Sequence, residues 1–363
     1  MTSLGRARPP GGLRFSSDQQ PGLRRIRAGR GFRYVQPDGD PVRDPGALAR
    51  VRALAIPPAW TEVWICPDPS GHLQAVGRDA RRRKQYRYHE QFRAERDTSK
   101  FARLSTFGRA LPAIRRRVAR DLARPGLTKD KVVATVVRLL ETTSLRIGND
   151  EYARTNRSFG LTTLRNRHVL GSGVSLRLRF RGKGGRVHEV GIHDRRLASV
   201  VARCHDLPGQ ELFQYLDERG LPQPIDSADV NEYLRAAAKA DISAKDFRTW
   251  AGTLLAFRAL RSEVETGTDG SAPALRRSMK QSTALVAEAL GNTPAVSRES
   301  YIAPTVVDAF AAGALPRGHA TRGRRGLALV GDRREELELI HLLEKASKKV
   351  TPAVTLASSA RRS

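Results

Sequence analysis

The stretch 174-VSLRLRFRGKGGRVHEVGI-192 decides how the second half of this chain is read. Val174, Leu176, Leu178 and Phe180 alternate with Ser175, Arg177, Arg179 and Arg181, the period of two expected of a strand with one buried face. The turn 182-GKGG-185 follows, and Val190 and Ile192 mark a return strand. This is a β-hairpin with Lys183 at its tip. It is the one clear β signal in an otherwise helical half, which makes the chain α+β.

On either side the helical punctuation is plain. Pro125 and Gly126 break the chain before Thr128, which can cap a helix carrying Val133, Val136, Val137 and Leu140 and ending near Gly148. Leu197, Val200, Val201 and Cys204 mark another helix. Ser243 and Asp246 form a capping box for a long helix through Leu260. Residues 274–290 read as a helix stopped by Gly291. In 291-GNTPAVSRESYIAP-304 a short helix then runs from a Thr-Pro start to a Pro stop, with Tyr301 near its end.

The N-terminal part has a different texture. From Gly31 to about Gly77 the segments are short, rich in Val, Trp, Tyr and Ile, and broken by PDGDP, IPPAW and CPDPSGH. That reads as short strands and turns. A basic run with two tyrosines, 78-RDARRRKQYRYHEQF-92, leads into helical texture around residues 93–105. The expected organisation is a disordered tail over 1–20, a β-rich domain over 21–100, a mostly helical domain over 101–318 and a basic tail over 319–363, with one helix near 334–346. No internal repeat is visible.

Composition narrows the function. The 363 residues are too many for one compact core. There are 65 Lys and Arg against 37 Asp and Glu, a formal charge of +28 spread along the chain. Such a surface repels itself and calls for a polyanionic partner, nucleic acid first. No apolar run is long enough to span a bilayer, and no signal peptide precedes the first domain, so the cytoplasm is expected. The two cysteines, Cys66 and Cys204, and the eight histidines show no metal-ligand spacing. No metal and no cofactor are expected.

Three cationic residues lie near glycines: Arg146 in 145-LRIGNDEY-152, Lys183 in 180-FRGKGGR-186 and Arg248 in 245-KDFRTWAGT-253. Each has an ordinary reading alone. Arg146 can serve a helix C-terminus, Lys183 can be a solvated turn residue, and Arg248 can rim the Phe247, Trp250, Ala251, Leu254 stripe. Tyr301 alone reads as a half-buried packing residue. The GKGG turn is no P-loop, since it joins strand to strand and lacks the GxxxxGK[ST] spacing. Metal-free phosphodiester chemistry, however, needs a nucleophile, cations at the non-bridging oxygens and an acid for the leaving alkoxide. This set contains all three.

In chain order LRIGNDEY, 156-NRSFGLTTLRNRHV-169, FRGKGG, KDFRTWAGT and GNTPAVSRESYIAP together closely resemble the type IB DNA topoisomerases of bacteria, small relatives of the poxvirus enzyme. The segments IPPAWTEVWICPDPSGHLQAVGRD and RKQYRYH fit the same family, and the resemblance covers roughly residues 22–320. It implies two domains that clamp duplex DNA, the second mostly α-helical and of the tyrosine recombinase/topoisomerase IB type. It implies Tyr301 as nucleophile, forming a 3′-phosphotyrosyl bond. Arg146 and Arg248 would hold the non-bridging oxygens, a task suited to the planar guanidinium. Lys183 would be the general acid for the 5′-oxygen, and Asn292 a hydrogen-bond donor to a phosphate oxygen. No residue offers itself as base for the Tyr301 hydroxyl, and water can serve.

The resemblance further implies a nucleoid-associated monomer working without ATP, since the phosphotyrosyl bond conserves the energy of the broken diester. Arg83, Tyr86 and Tyr88 match a DNA-facing cluster of the first domain, and Tyr152 belongs to a similar cluster after Arg146; basic residues interleaved with tyrosines suit phosphate and sugar contact. One departure stands out: Arg82 occupies a position where glycine is expected. Two other readings compete. Tyrosine recombinases share the chemistry but usually carry His three residues before the second arginine, where this chain has Lys245. A non-catalytic architectural DNA binder should have lost one of Arg146, Lys183, Arg248 or Tyr301, and all four are present.

Overall fold

The computed structural model describes residues 12–173, 176–267, 270–316 and 329–359. The chain forms two compact units that meet in sequence between Lys100 and Phe101.

The first unit is built on a five-stranded antiparallel sheet, ordered β2-β1-β3-β4-β5. The strands are β1 (Leu23–Ala28), β2 (Gly31–Val35), β3 (Thr61–Ile65), β4 (Leu73–Arg78) and β5 (Lys84–Tyr88). Its small core joins Leu23, Val42, Val51, Val63, Ile65 and Ala75. The Pro-rich punctuation becomes loops nailed by one partly buried and one buried side chain. Arg25 donates to the carbonyls of Ile56, Pro57 and Trp60. Gln74, 3% exposed, donates to those of Asp68, Pro69 and Gly71. These bonds supply the loops with the partners that a sheet gives its strands.

Two elements here depart from the sequence reading. β1, with three arginines in LRRIRA, hides its strand character because only Leu23 is fully buried. Pro45–Ala53 is a helix, α1, where strands and turns were expected. Asp44 caps it by accepting from Ala47 N at 2.7 Å, but it buries only Val51 and so lacks a legible apolar stripe. The expected disorder of 1–20 is also corrected for the residues described there. Leu13 is buried, Ser16 Oγ donates to Leu73 O, and Trp64 Nε1 donates to Gln20 O. This strap packs because Gly22 lets the chain lie against the Trp64 indole; a Cβ there would come within 2.1 Å of Nε1. Residues 1–11 of that expected tail lie outside the described residues. Arg82 keeps the backbone a glycine would favour, with φ +59°, and its carbonyl accepts from Arg78 Nη1.

Helix α2 (Glu90–Ala102) carries the chain into the second unit. There α3 (Leu104–Leu122), α4 (Lys129–Thr143), α5 (Asp150–Asn156), α6 (Arg195–His205), α7 (Ser227–Ala238) and α8 (Ala244–Glu265) are followed by α9 (Ala272–Leu290), α10 (Pro294–Tyr301), α11 (Pro304–Ala311) and α12 (Arg333–Ser359). A three-stranded sheet, β6 (Val169–Leu170), β7 (Arg177–Arg181) and β8 (Val187–Gly191), and a two-stranded one, β9 (Gln214–Leu216) and β10 (Pro222–Pro224), complete the unit. The hairpin is β7–β8, with Arg181 paired to Val187 around the turn. Leu176, Leu178, Phe180 and Ile192 are buried as the alternation requires, while Val174 and Ser175 fall outside the described residues. Helix α4 stops earlier than Gly148, at Ser144, which takes the left-handed conformation with φ +50°.

The segment read as a basic tail from 319 onward carries part of the core. Leu339, Ile340 and Leu343 of α12 join the cluster that holds Phe107, Trp250 and Phe257. Its polar face is bound as firmly. Arg115 on α3 donates to both carboxylate oxygens of Glu336, at 2.8 and 2.6 Å, and to Glu141. Arg261 of α8 reaches Glu335 and Glu338. The sequence hid this because the basic run that precedes α12 dominates the local composition. Glu336 is fully buried against Arg115, so Glu336→Ala leaves a guanidinium without its main partner. Thermal or urea unfolding of this variant should show a loss of ~3 kcal/mol or more. A change within experimental error would mean that α12 is not integral to the unit.

Candidate active site

The site grows from three chain ends brought to one place: the loop after α4, the α9–α10 junction and the end of α10. Arg146 lies in the first. Its loop is pinned from behind, with Leu161 N donating to Arg146 O at 2.9 Å and Thr162 N to Ile147 O at 2.7 Å. Gly160 and Gly148 make that contact possible, since a Cβ on Gly160 would fall 2.4 Å from Gly148 N. The NRSFGLTTLRNRHV segment therefore serves the site as a buttress. Arg146 Nη2 donates to Asn292 Oδ1 at 2.7 Å.

Arg248 is the centre. It sits in the second turn of α8, 5% exposed. Its Nη1 donates to the carbonyl of Ser144, the C-cap of α4, and its Nη2 to that of Leu290, the last residue of α9, at 2.8 Å. Its Cζ stands 5.1 Å from the centroid of the Tyr301 ring. Burial and the neighbouring Arg146 push the guanidinium down to about 10, against the opposing pull of Tyr301, so it stays cationic at neutral pH. Two buried donors of the cluster have no partner among the described residues, Arg248 Nε and Asn292 Nδ2. Buried donors left unpaired cost ~1–3 kcal/mol each, so their presence beside two cations suits an anion binding there.

Tyr301 ends α10, whose cap is Thr293, accepting from Val296 N. Its backbone is docked on α8. Thr253 Oγ1 donates to Tyr301 O at 3.1 Å and accepts from Ala303 N at 3.1 Å. Gly252 gives the clearance, because a Cβ there would lie 2.7 Å from Tyr301 O. Sequence reasoning missed Gly252 and Thr253. The available signal was the glycine inside a long helix, which costs ~1 kcal/mol and asks for a packing reason.

Arg146, Arg248, Asn292 and Tyr301 are thus brought together. Lys183 stands exposed on the hairpin turn, where Gly184 and Gly185 take φ of +78° and +82°. The return strand of that hairpin borders the cluster, since Arg186 and His188 lie against Gly291. Tyr152 is 45% exposed on α5. In the other unit Tyr86 and Tyr88 stack on β5 with ring centroids 6.1 Å apart, and Lys84 stands over the Tyr86 ring at 5.7 Å. Arg83 is engaged by Asp79, at 2.6 Å from Nη2, which holds the Asp79 carboxyl down at about 2. Among the described residues no group of three or more His, Cys, Asp or Glu could hold a metal, and no helix is long and apolar enough to cross a membrane.

Comparison with known proteins bears on the whole arrangement. Residues 89–310 match the family described as the catalytic core of eukaryotic DNA topoisomerase I, and residues 31–79 the N-terminal domain of bacterial DNA topoisomerase IB. The DNA topoisomerase 1B of Acanthamoeba polyphaga mimivirus is 32% identical over 285 residues, 77% of this chain and 85% of that protein. The DNA topoisomerase 1B of vaccinia virus (strain Copenhagen) and the DNA topoisomerase I of monkeypox virus are each 25% identical over 240 residues, 64% of this chain and 71% of theirs.

Replacing a helical glycine by alanine ordinarily stabilises by ~0.5–1 kcal/mol. Gly252→Ala should do the reverse, losing ~1–3 kcal/mol as the methyl drives α10 off α8. A raised unfolding midpoint for Gly252→Ala would show that the α8–α10 contact is looser than described.

Proposed function

This chain belongs to the type IB DNA topoisomerase family, and on that footing we propose that it relaxes supercoiled duplex DNA by transient cleavage of one strand at Tyr301. The observation that carries this reading is the Arg248 guanidinium, buried over the Tyr301 ring, with no carboxylate among its contacts with the described residues and its own Nε unpaired there. A buried cation of this kind suits a phosphate seated next to the tyrosine hydroxyl.

In the proposed reaction the Tyr301 oxygen attacks the scissile phosphorus and gives its proton to water. The bond from phosphorus to the 5′-oxygen breaks, and Lys183 supplies the proton that the departing oxygen needs. The products are a 3′-phosphotyrosyl bond and a free 5′-hydroxyl strand, which swivels and then attacks in reverse to reseal the DNA. Arg146 and Arg248 stabilise the charge that grows on the non-bridging oxygens. Asn292, oriented by Arg146 through its Oδ1, presents Nδ2 to the same oxygens. Tyr86, Tyr88 and Arg83, with Asp79 orienting Arg83, contact the duplex from the first unit, and Tyr152 from the second. The enzyme acts as a monomer on the bacterial nucleoid, without nucleotide or metal.

Relaxation of both negatively and positively supercoiled plasmid should proceed in chelator without ATP. A strict magnesium requirement, or removal of negative supercoils only, would refute the reading. Tyr301→Phe should abolish the covalent adduct trapped by denaturant while leaving duplex binding nearly intact. An adduct mapped to Tyr86, Tyr88 or Tyr152 would move the nucleophile elsewhere.

The role of Lys183 has its own test. If it protonates the leaving 5′-oxygen, a strand with sulfur at that bridging position should not need it, because a thiolate leaves unaided. Lys183→Ala should cleave ordinary DNA slower by ~10² or more and approach wild type on the sulfur strand. Arg146→Ala and Arg248→Ala should gain far less, since their oxygens are unchanged. Equal rescue of all three would remove Lys183 from the acid role.

A further inference from the structure

The hairpin touches the Arg248 cluster through one ring. His188 of β8 pairs directly across the ladder with Phe180 of β7, and the two rings stack 5.3 Å apart at 23°. Two glycine-bearing backbone segments also lie against the imidazole. A Cβ on Gly182 would lie 2.6 Å from His188 Cδ2 and 2.7 Å from Nε2, and one on Gly291 would lie 3.2 Å from Cε1. Gly182 has φ −94° and ψ −167°, a conformation open to any residue, so the close approach of the imidazole is what calls for glycine there. The residue after Gly182 is Lys183, and the residue after Gly291 is Asn292. One imidazole ring thus lies against both backbone segments, the one that leads into the hairpin tip and the one that leads into Asn292.

The turn is tied to Gly182 by backbone hydrogen bonds. Gly182 N donates to Arg186 O at 2.7 Å, and Gly185 N to Gly182 O at 3.0 Å. The charged groups felt by the ring are Arg146, Arg186 and Arg248, all cations. Burial first, and then these arginines, hold its pKa below the ordinary histidine value, so the ring is neutral where an imidazolium would be repelled.

We propose that His188 is a positioning residue for the cleavage step: packed against Gly182 and Gly291, it sets where the Lys183 turn stands relative to Asn292 and Tyr301. The inference rests on Lys183 being the general acid, and it assigns no contact with the DNA to His188 itself. Its failure would act through the proton delivered to the leaving 5′-oxygen, since a misplacement of about 1 Å costs as much as ~10² in rate.

The test is single-turnover cleavage of ordinary and 5′-sulfur-substituted strands at saturating protein, where the rate is that of the bound, folded complex. His188→Ala should slow ordinary cleavage by ~10–100-fold and approach wild type on the sulfur strand. Gly182→Ala, whose methyl would displace the ring, should give the same pattern and stands in if His188→Ala does not fold. In the Gly182→Ala/His188→Ala double variant the methyl enters the space the ring has left, so the losses should not add. If Lys183→Ala is rescued by sulfur but His188→Ala is slowed equally on both strands, the positioning role is overturned while the acid assignment stands. Wild-type cleavage by His188→Ala, or additive losses in the double variant, would overturn it too. If Lys183→Ala itself is not rescued, the acid assignment fails and the role of His188 falls with it.

Discussion

Arg248 carries a full charge into a place where 5% of its surface remains open, and among the described residues it does so without a carboxylate partner. Burying an unpaired ion costs several kcal/mol even after relaxation, so something must offset it. The compensation comes from the carbonyl ends of two helices. Ser144 O closes α4 and Leu290 O closes α9, and each helix C-terminus bears about half a negative charge. The Tyr301 ring adds its face. Partial charges hold the cation without cancelling it, which leaves it able to attract an anion. Because those carbonyls belong to the segments leading into Arg146 and Asn292, one side chain also gathers the rest of the site.

The opposite solution appears on the scaffold side. Arg115 and Arg261, with Arg258, are bound to Glu336, Glu335, Glu338 and Glu141. There charge neutralises charge, and the result is attachment of α12 to α3 and α8. The same residue type is neutralised where carboxylates face it, while Arg248 keeps its charge among carbonyls beside a second arginine and the tyrosine ring. Net charge alone, +28 for the chain, does not separate the two uses.

Glycines tune the distances on which the site depends. Gly252 admits the Tyr301 carbonyl, Gly160 the Arg146 loop and Gly182 the His188 ring, each at a separation no Cβ would tolerate. None is chosen for a left-handed backbone. They work by what they lack, so a motif such as FRTWAGT joins a chemical residue to the clearance that places its partner.

Much was legible from residue order. The alternation in SLRLRF, the Thr128 and Ser243 starts and the Gly291 stop placed the main elements of the second unit. The motifs singled out Arg146, Arg248, Asn292 and Tyr301 before any of them could be seen to meet. These are local signals, governed by side-chain period, capping and turn preference, and they survive translation into structure. What the sequence could not decide were contacts between distant segments. The strap of residues 12–20 against Trp64, the docking of α12 and the approach of His188 to Gly291 each join positions tens to hundreds of residues apart. Such pairings depend on which surfaces the whole fold brings face to face. Arg, Glu and His look alike on a solvated helix and in a buried network. Only the tertiary structure shows that Arg248 meets two carbonyls next to Arg146 and Tyr301 while Arg115 meets two carboxylates, because those partners come from segments far apart in the chain.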